Sequence, residues 1–204
     1  MYVDENVLNF MQSREYESVL MENETIEGTV LFIDVCGFTS ISETAPPNTV
    51  VKLLNAYFDV MVKEIIVQDG FVDKFIGDAV MAVFKGNYHL DRAIDSALKV
   101  RELINKLPAI GEVKQFKPKV TIGINSGEMI SGNIGSVSLK RLDYTVIGDA
   151  VNTAARFQQV ANEDQIIISQ DSYEKVKESF KCNKLGSIPL KNKKNPIVIY
   201  EVIE

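Results

Sequence analysis

"FVDKFIGDAVMAVFKG" (Phe71–Gly86) sets two short apolar runs on either side of Gly77-Asp78. Such runs broken by a glycine–aspartate pair predict a β-hairpin with a tight turn. Helical patterns flank it. Upstream, "ETAPPNTVVKLLNAYFDVMVKEIIVQDG" (43–70) opens on prolines with a candidate cap at Asn48, and its apolar residues recur at Val51, Leu54, Phe58, Met61 and Ile65. Downstream, "HLDRAIDSALKVRELINKL" (89–107) is a second amphipathic helix, closed by Pro108. Further out, "TVLFIDV" (29–35) is a nearly unbroken apolar run, the mark of a strand covered on both faces. "KPKVTIGINSGEMISGNIG" (117–135) alternates as a strand that its glycines bend or end. The resulting order, β-α-β-β-α-β, predicts an α+β fold with a ferredoxin-like core. C-terminal αβ additions follow: a strand passing through Gly148-Asp149 into a helix, then "DQIIIS", "QDSYEKVKESF" and "NPIVIYEVIE" as strand, helix and strand.

At 204 residues the chain suits one domain. Residues 1–27 read as a helical lead-in, with Val3, Val7, Phe10 and Met11 at roughly helical spacing, and residues 28–204 as the domain proper. A net charge of −6 offers no basic surplus for nucleic acid. No apolar run is long enough for direct membrane insertion, and the N-terminus lacks a signal peptide's profile, although a parent protein could carry either. Two cysteines, Cys36 and Cys182, imply no disulfide framework, so a reducing, cytoplasmic setting is expected. With His89 the single histidine, any metal would have to be held mainly by carboxylates.

Two carboxylates stand out. Asp34 interrupts a buried-looking strand, where an unpaired charge is costly. Asp78 sits in the hairpin turn and by itself reads equally well as an ordinary turn residue. As a pair at the borders of neighbouring strands they suit Mg²⁺ or Mn²⁺. Asn152 and Arg156 lie four apart near the start of a helix and so share one face. That face is either a solvated polar stripe or a grip on a sugar and a phosphate. Lys74, inside an apolar run, either faces solvent or reads a ligand. The cationic stretch "KNKKN" (191–195) reads from its charges alone as a solvated loop.

Three segments, "LFIDVCGFTSISE", "DGFVDKFIGDAVMAVF" and "DYTVIGDAVNTAARFQ", in this order and spacing, closely resemble the catalytic domain of class III adenylate cyclases. The resemblance runs from about Gly28 to the C-terminus, and "YVDENVLNFM" is similar to the segment that links bacterial members to an upstream sensor domain. It implies that Asp34 and Asp78 bind two Mg²⁺ or Mn²⁺ ions per active site. It also implies that Lys74 and Thr145 read the purine, and that Asn152 and Arg156 orient the ribose and stabilise the transition state. A C-terminal lysine, Lys193 or the nearby Lys191, would contact the terminal phosphates of ATP. Cys36 falls at a position where the family accepts several residues and reads as a small buried thiol.

The implied reaction is cyclisation of ATP to 3′,5′-cyclic AMP and pyrophosphate. Family sites are shared between two catalytic domains, and one chain carrying both residue sets implies a homodimer. Lys74 supplies only donors and suits adenine N1, and the Thr145 hydroxyl can accept from the 6-amino group. The lysine–threonine pair resembles the subgroup stimulated by bicarbonate. The rivals are a guanylate cyclase, and a catalytically inactive cyclase-like module for dimerisation or nucleotide sensing. Against the second, no metal or transition-state position is missing from the motifs.

Overall fold

The first strand, β1 (Asn23–Val35), is buried almost without interruption from Gly28 to Val35, because helices pack on both sides of it. The computed structural model describes residues 23–108, 116–136, 141–189 and 195–204. After β1 come α1 (Phe38–Thr44), α2 (Pro47–Val67), the hairpin β2 (Phe71–Ile76) and β3 (Ala79–Lys85), then α3 (His89–Lys106) and β4 (Val120–Ser136). These strands pair antiparallel in the order β2-β3-β1-β4, which is the expected ferredoxin-like arrangement. β5 (Arg141–Ile147) folds back on β4 and leads into α4 (Asp149–Val160). β6 (Ile166–Ser169), α5 (Gln170–Val176), β7 (Cys182–Ile188) and β8 (Ile197–Val202) extend the sheet beyond β4 to eight strands.

Two apolar layers result. On one face Leu31, Ile33 and Val35 of β1 pack with Leu53, Tyr57, Met61 and Ile65 of α2 and with Ile94, Ala97, Val100 and Ile104 of α3. On the other, Val30 and Phe32 join Met81, Val83, Met129 and Val146 beneath Ala150 and Ala154 of α4. The α2 stripe is rotated from the expected one: Val51 is 56% exposed, and Tyr57 takes an inward position against the rings of Phe38 and Phe116. Asn48 is not the cap of α2. The helix starts at Pro47, whose fixed φ and missing N–H suit the first helical position.

Three further features depart from the sequence expectations. β1 begins at Asn23, so residues 23–27 of the expected lead-in are strand, paired with residues 128–132 of β4, and residues 1–22 lie outside the described residues. Strand β7 and the short α1 had no distinct pattern. β4 runs unbroken through glycines expected to bend or end it. At Gly123 the reason is close approach, since a Cβ there would run into the α4 backbone at Ala154 and Gln158. Gly123→Ala is therefore expected to cost about 3 kcal/mol of stability by forcing α4 off the sheet, read as a lower urea midpoint at unchanged m-value.

Candidate active site

Asp34 is the penultimate residue of β1, and on the strand's alternation it shares a face with Phe32, the face that α4 covers. Gly77, at φ +63°, and Asp78 form the two-residue turn between Ile76 and Ala79. A glycine with positive φ at the first turn position is what a tight hairpin of this kind requires. Because β3 pairs with β1 as far as Ile33↔Val80, this turn lies beside the end of β1. Burial pushes the Asp34 carboxyl up to about 6, and the Asp78 charge adds to the shift. Among the described residues no lysine or arginine forms an ion pair with either carboxylate. Cys36, just beyond, has its thiol pushed up to about 11, first by burial and then by Glu163, Asp34 and Asp164, so it is a poor nucleophile at neutral pH.

The second group is built on a bulge. Pairing of β2 with β3 steps from Val72↔Ala82 to Lys74↔Met81, leaving Asp73 as the extra residue. In a regular strand, neighbours 73 and 74 would point to opposite faces. Here they approach each other: Lys74 Nζ lies 3.8 Å from Asp73 Oδ2, and the Asp73 side chain is fully buried (0% exposed). Across from them, the Thr145 hydroxyl on β5 donates to the Asp73 carboxylate, with Oγ1 2.6 Å from each oxygen. On balance the Asp73 carboxyl is pushed up: burial raises it, the Thr145 hydrogen bond and the Lys74 charge offset this only in part, and the Asp143 charge adds to the rise. The sequence reading missed Asp73, although an acid next to Lys74 within an apolar run was a visible signal. Phe71 and Tyr144 line a small depression with Asp73, Thr145 and Lys85. Lys85 Nζ donates to Ser131 Oγ at 3.1 Å and lies over the Tyr144 ring.

The third group is on α4. Ala150, Thr153, Ala154 and Phe157 turn inward, and Asn152 and Arg156, one turn apart, are exposed. Arg156 donates through Nη1 to Gln159 Oε1 at 2.8 Å. The structure thus joins Asp34 with Asp78, and Lys74 with Thr145. Within one chain no hydrogen bond or ion pair ties Asn152 or Arg156 to either group. Lys191 and Lys193 lie outside the described residues.

The chain resembles proteins of both base preferences. An adenylate cyclase from Anabaena cylindrica is 35% identical over 184 residues, which is 85% of this chain and 36% of that protein. The chain therefore spans about a third of the length of that relative. Among solved structures, the adenylyl cyclase CyaB from P. aeruginosa superposes with a TM-score of 0.80 at 29% identity, covering 90% of this chain and 97% of that one. The guanylyl cyclase Cya2 also gives a TM-score of 0.80, at 32% identity, covering 89% and 94%. A family model described as the adenylate and guanylate cyclase catalytic domain matches residues 20–203. With the mixed sheet, its helices and the three residue groups in place, the chain belongs to the family of adenylate and guanylate cyclase catalytic domains, class III.

Proposed function

We propose that the chain is an adenylate cyclase domain that converts ATP to 3′,5′-cyclic AMP and pyrophosphate at sites shared by two copies. The observation that carries the choice of base is the placement of Lys74 and Thr145 together around Asp73. The Lys74 ammonium can only donate and suits adenine N1, whereas guanine presents an N–H there. The Thr145 oxygen accepts from the 6-amino group, where guanine presents a carbonyl. A mispaired buried polar group costs enough to make such a pocket selective.

Asp34 and Asp78 fit a divalent metal. They are partly buried, close enough for one charge to raise the other's pKa, and unpaired by any cation among the described residues. No cluster of three or more metal-ligating side chains occurs among those residues, so the remaining coordination would fall to phosphate and water oxygens, as suits Mg²⁺. Two Mg²⁺ or Mn²⁺ ions, when bound, supply acidification of the ribose 3′-hydroxyl and neutralisation of the triphosphate. In the reaction the 3′-hydroxyl gives up its proton to solvent and its oxygen bonds to the α-phosphorus. The bond from that phosphorus to the bridging oxygen breaks, and pyrophosphate leaves with that electron pair. Asn152 orients the ribose for this attack. Arg156 meets the negative charge that grows on the α-phosphoryl oxygens, a contact worth most in the transition state. Lys193, or Lys191, is assigned to the terminal phosphates.

Two copies are needed because the α4 pair has no partner in the other groups of its own chain. The exposed Phe71 and Tyr144, beside Asp73 and Thr145 on β2 and β5, support burial of this side by a second copy. No helix among the described residues is long and apolar enough to cross a membrane. With ATP as substrate we assign the domain to the cytoplasm, and the greater length of its relatives fits an upstream sensor domain.

The match to a guanylyl cyclase gives the rival base its weight. Purified chain with Mg²⁺ or Mn²⁺ is expected to form cyclic AMP from ATP at a higher kcat/KM than cyclic GMP from GTP, by chromatography of the products. Faster turnover of GTP would overturn the adenine reading. Asp34→Ala and Arg156→Ala are each expected to lose activity by about a hundredfold or more. Mixing the two should restore about a quarter of wild-type activity, because half of random pairs are mixed and each holds one intact site. No recovery on mixing would rule out shared sites.

Asp34 also sets a stability cost. Its folded pKa lies above its unfolded one, so the native state holds an extra proton between about pH 4 and 6. Stability contributed by that proton is present at low pH and lost as pH rises through 6. Asp34→Asn is therefore expected to abolish activity yet raise the stability of metal-free protein at pH 7.5 by about 1–2 kcal/mol, with the gain fading toward pH 4. Urea denaturation at the two pH values measures it.

A further inference from the structure

We infer that Asp73 is a specificity-determining positioning residue: by taking the Thr145 proton it leaves that hydroxyl as an acceptor toward the base. The inference rests on the adenine-reading role given to Thr145 above and adds the residue that gives this role its direction.

A threonine hydroxyl carries one proton and two lone pairs, so a free one can serve either purine. It accepts from the 6-amino group of adenine, or it rotates and donates to the 6-carbonyl of guanine. Thr145 lacks that freedom. A carboxylate only accepts, so a contact of 2.6 Å from Oγ1 to each Asp73 oxygen commits the hydroxyl proton to Asp73. What remains on Oγ1 is lone pairs. Adenine's amino group satisfies them, and guanine's carbonyl oxygen meets them as one acceptor facing another.

The placement holds Asp73 to this task. Its side chain has no exposure to water, and Thr145 is 7% exposed, so no solvent competes for the shared proton. Lys74 Nζ, 3.8 Å away, and the Thr145 hydrogen bond favour the ionised carboxylate against the opposing effect of burial. The bulge lets consecutive residues serve one pocket, Lys74 toward the base and Asp73 behind Thr145. Asp73 need not touch the nucleotide, and it acts through Thr145.

The test is the ratio of kcat/KM for ATP to that for GTP, in wild type and in Asp73→Asn. The amide nitrogen of asparagine can donate to Oγ1 and return the hydroxyl proton to the pocket. The ratio is expected to fall by about tenfold or more, with GTP turnover rising in absolute terms. The same substitution is made in a Thr145→Val background, where no hydroxyl exists to be directed, and there the ratio should not change further. Equilibrium binding of 3′-deoxy-ATP and 3′-deoxy-GTP, which cannot cyclise, should show the same pattern without catalysis. Asp73→Ala, checked by thermal melting, serves if the asparagine variant does not fold, and should also compress the ratio. An unchanged ratio in Asp73→Asn, or an equal shift with and without the Thr145 hydroxyl, overturns the inference and leaves the adenylate cyclase reading standing. Wild-type chain that prefers GTP, or binds the two analogues equally, overturns both.

Discussion

Two like charges stand close together at the end of a strand that is otherwise buried on both faces. Asp34 and Asp78 repel each other, burial raises the Asp34 pKa, and no cation among the described residues relieves them. The surrounding structure makes that arrangement persist. β1 is held by β3 on one side and along its full length by β4 on the other, with helices above and below. The hairpin turn that carries Asp78 cannot move away without unpairing β3 from β1. A rigid scaffold thus holds a local electrostatic conflict whose natural relief is a bound cation.

The other two groups follow from how the same sheet is covered. α4 packs on β4 and β1, and β3 is buried beside them, but the outer strand β2 of that face is left open, where Phe71 is 53% exposed. Asp34, Lys74 and the exposed side of α4 all belong to this partly covered side. The sheet therefore has one finished face, closed by α2 and α3, and one on which the residues assigned to chemistry are gathered.

Features set by local chemistry could be read in the sequence. Gly77-Asp78 announced its turn because few other pairs close a hairpin so tightly, and Asp34 drew notice because a charge inside an apolar run has a high energetic cost. Features set by pairing could not. The β2 bulge is a relation between two strands, so "FVDKFIG" showed an acid beside Lys74 but not that the two side chains would meet. Tyr57 displaced Val51 from the core through ring contacts with Phe38 and Phe116, residues remote in sequence. β7, "CNKLGSI", lies at the sheet edge with polar and apolar residues mixed and none fully buried, and has no clear alternation to find.

The bulge also bears on how this pocket could change over generations. Phe75, beyond it, still pairs with Val80 and packs on Phe58, and Val72, before it, still pairs with Ala82. The extra residue is accommodated between two stretches whose inward and outward positions match the partner strand on their own. Loss of a single codon at position 73 would thus remove a carboxylate while leaving the hydrophobic alternation on either side intact, whereas a deletion elsewhere in the hairpin would turn a strand inside out. Inheritance can therefore add or subtract a charge beside Lys74 and Thr145 in one step, without rebuilding the sheet that holds them.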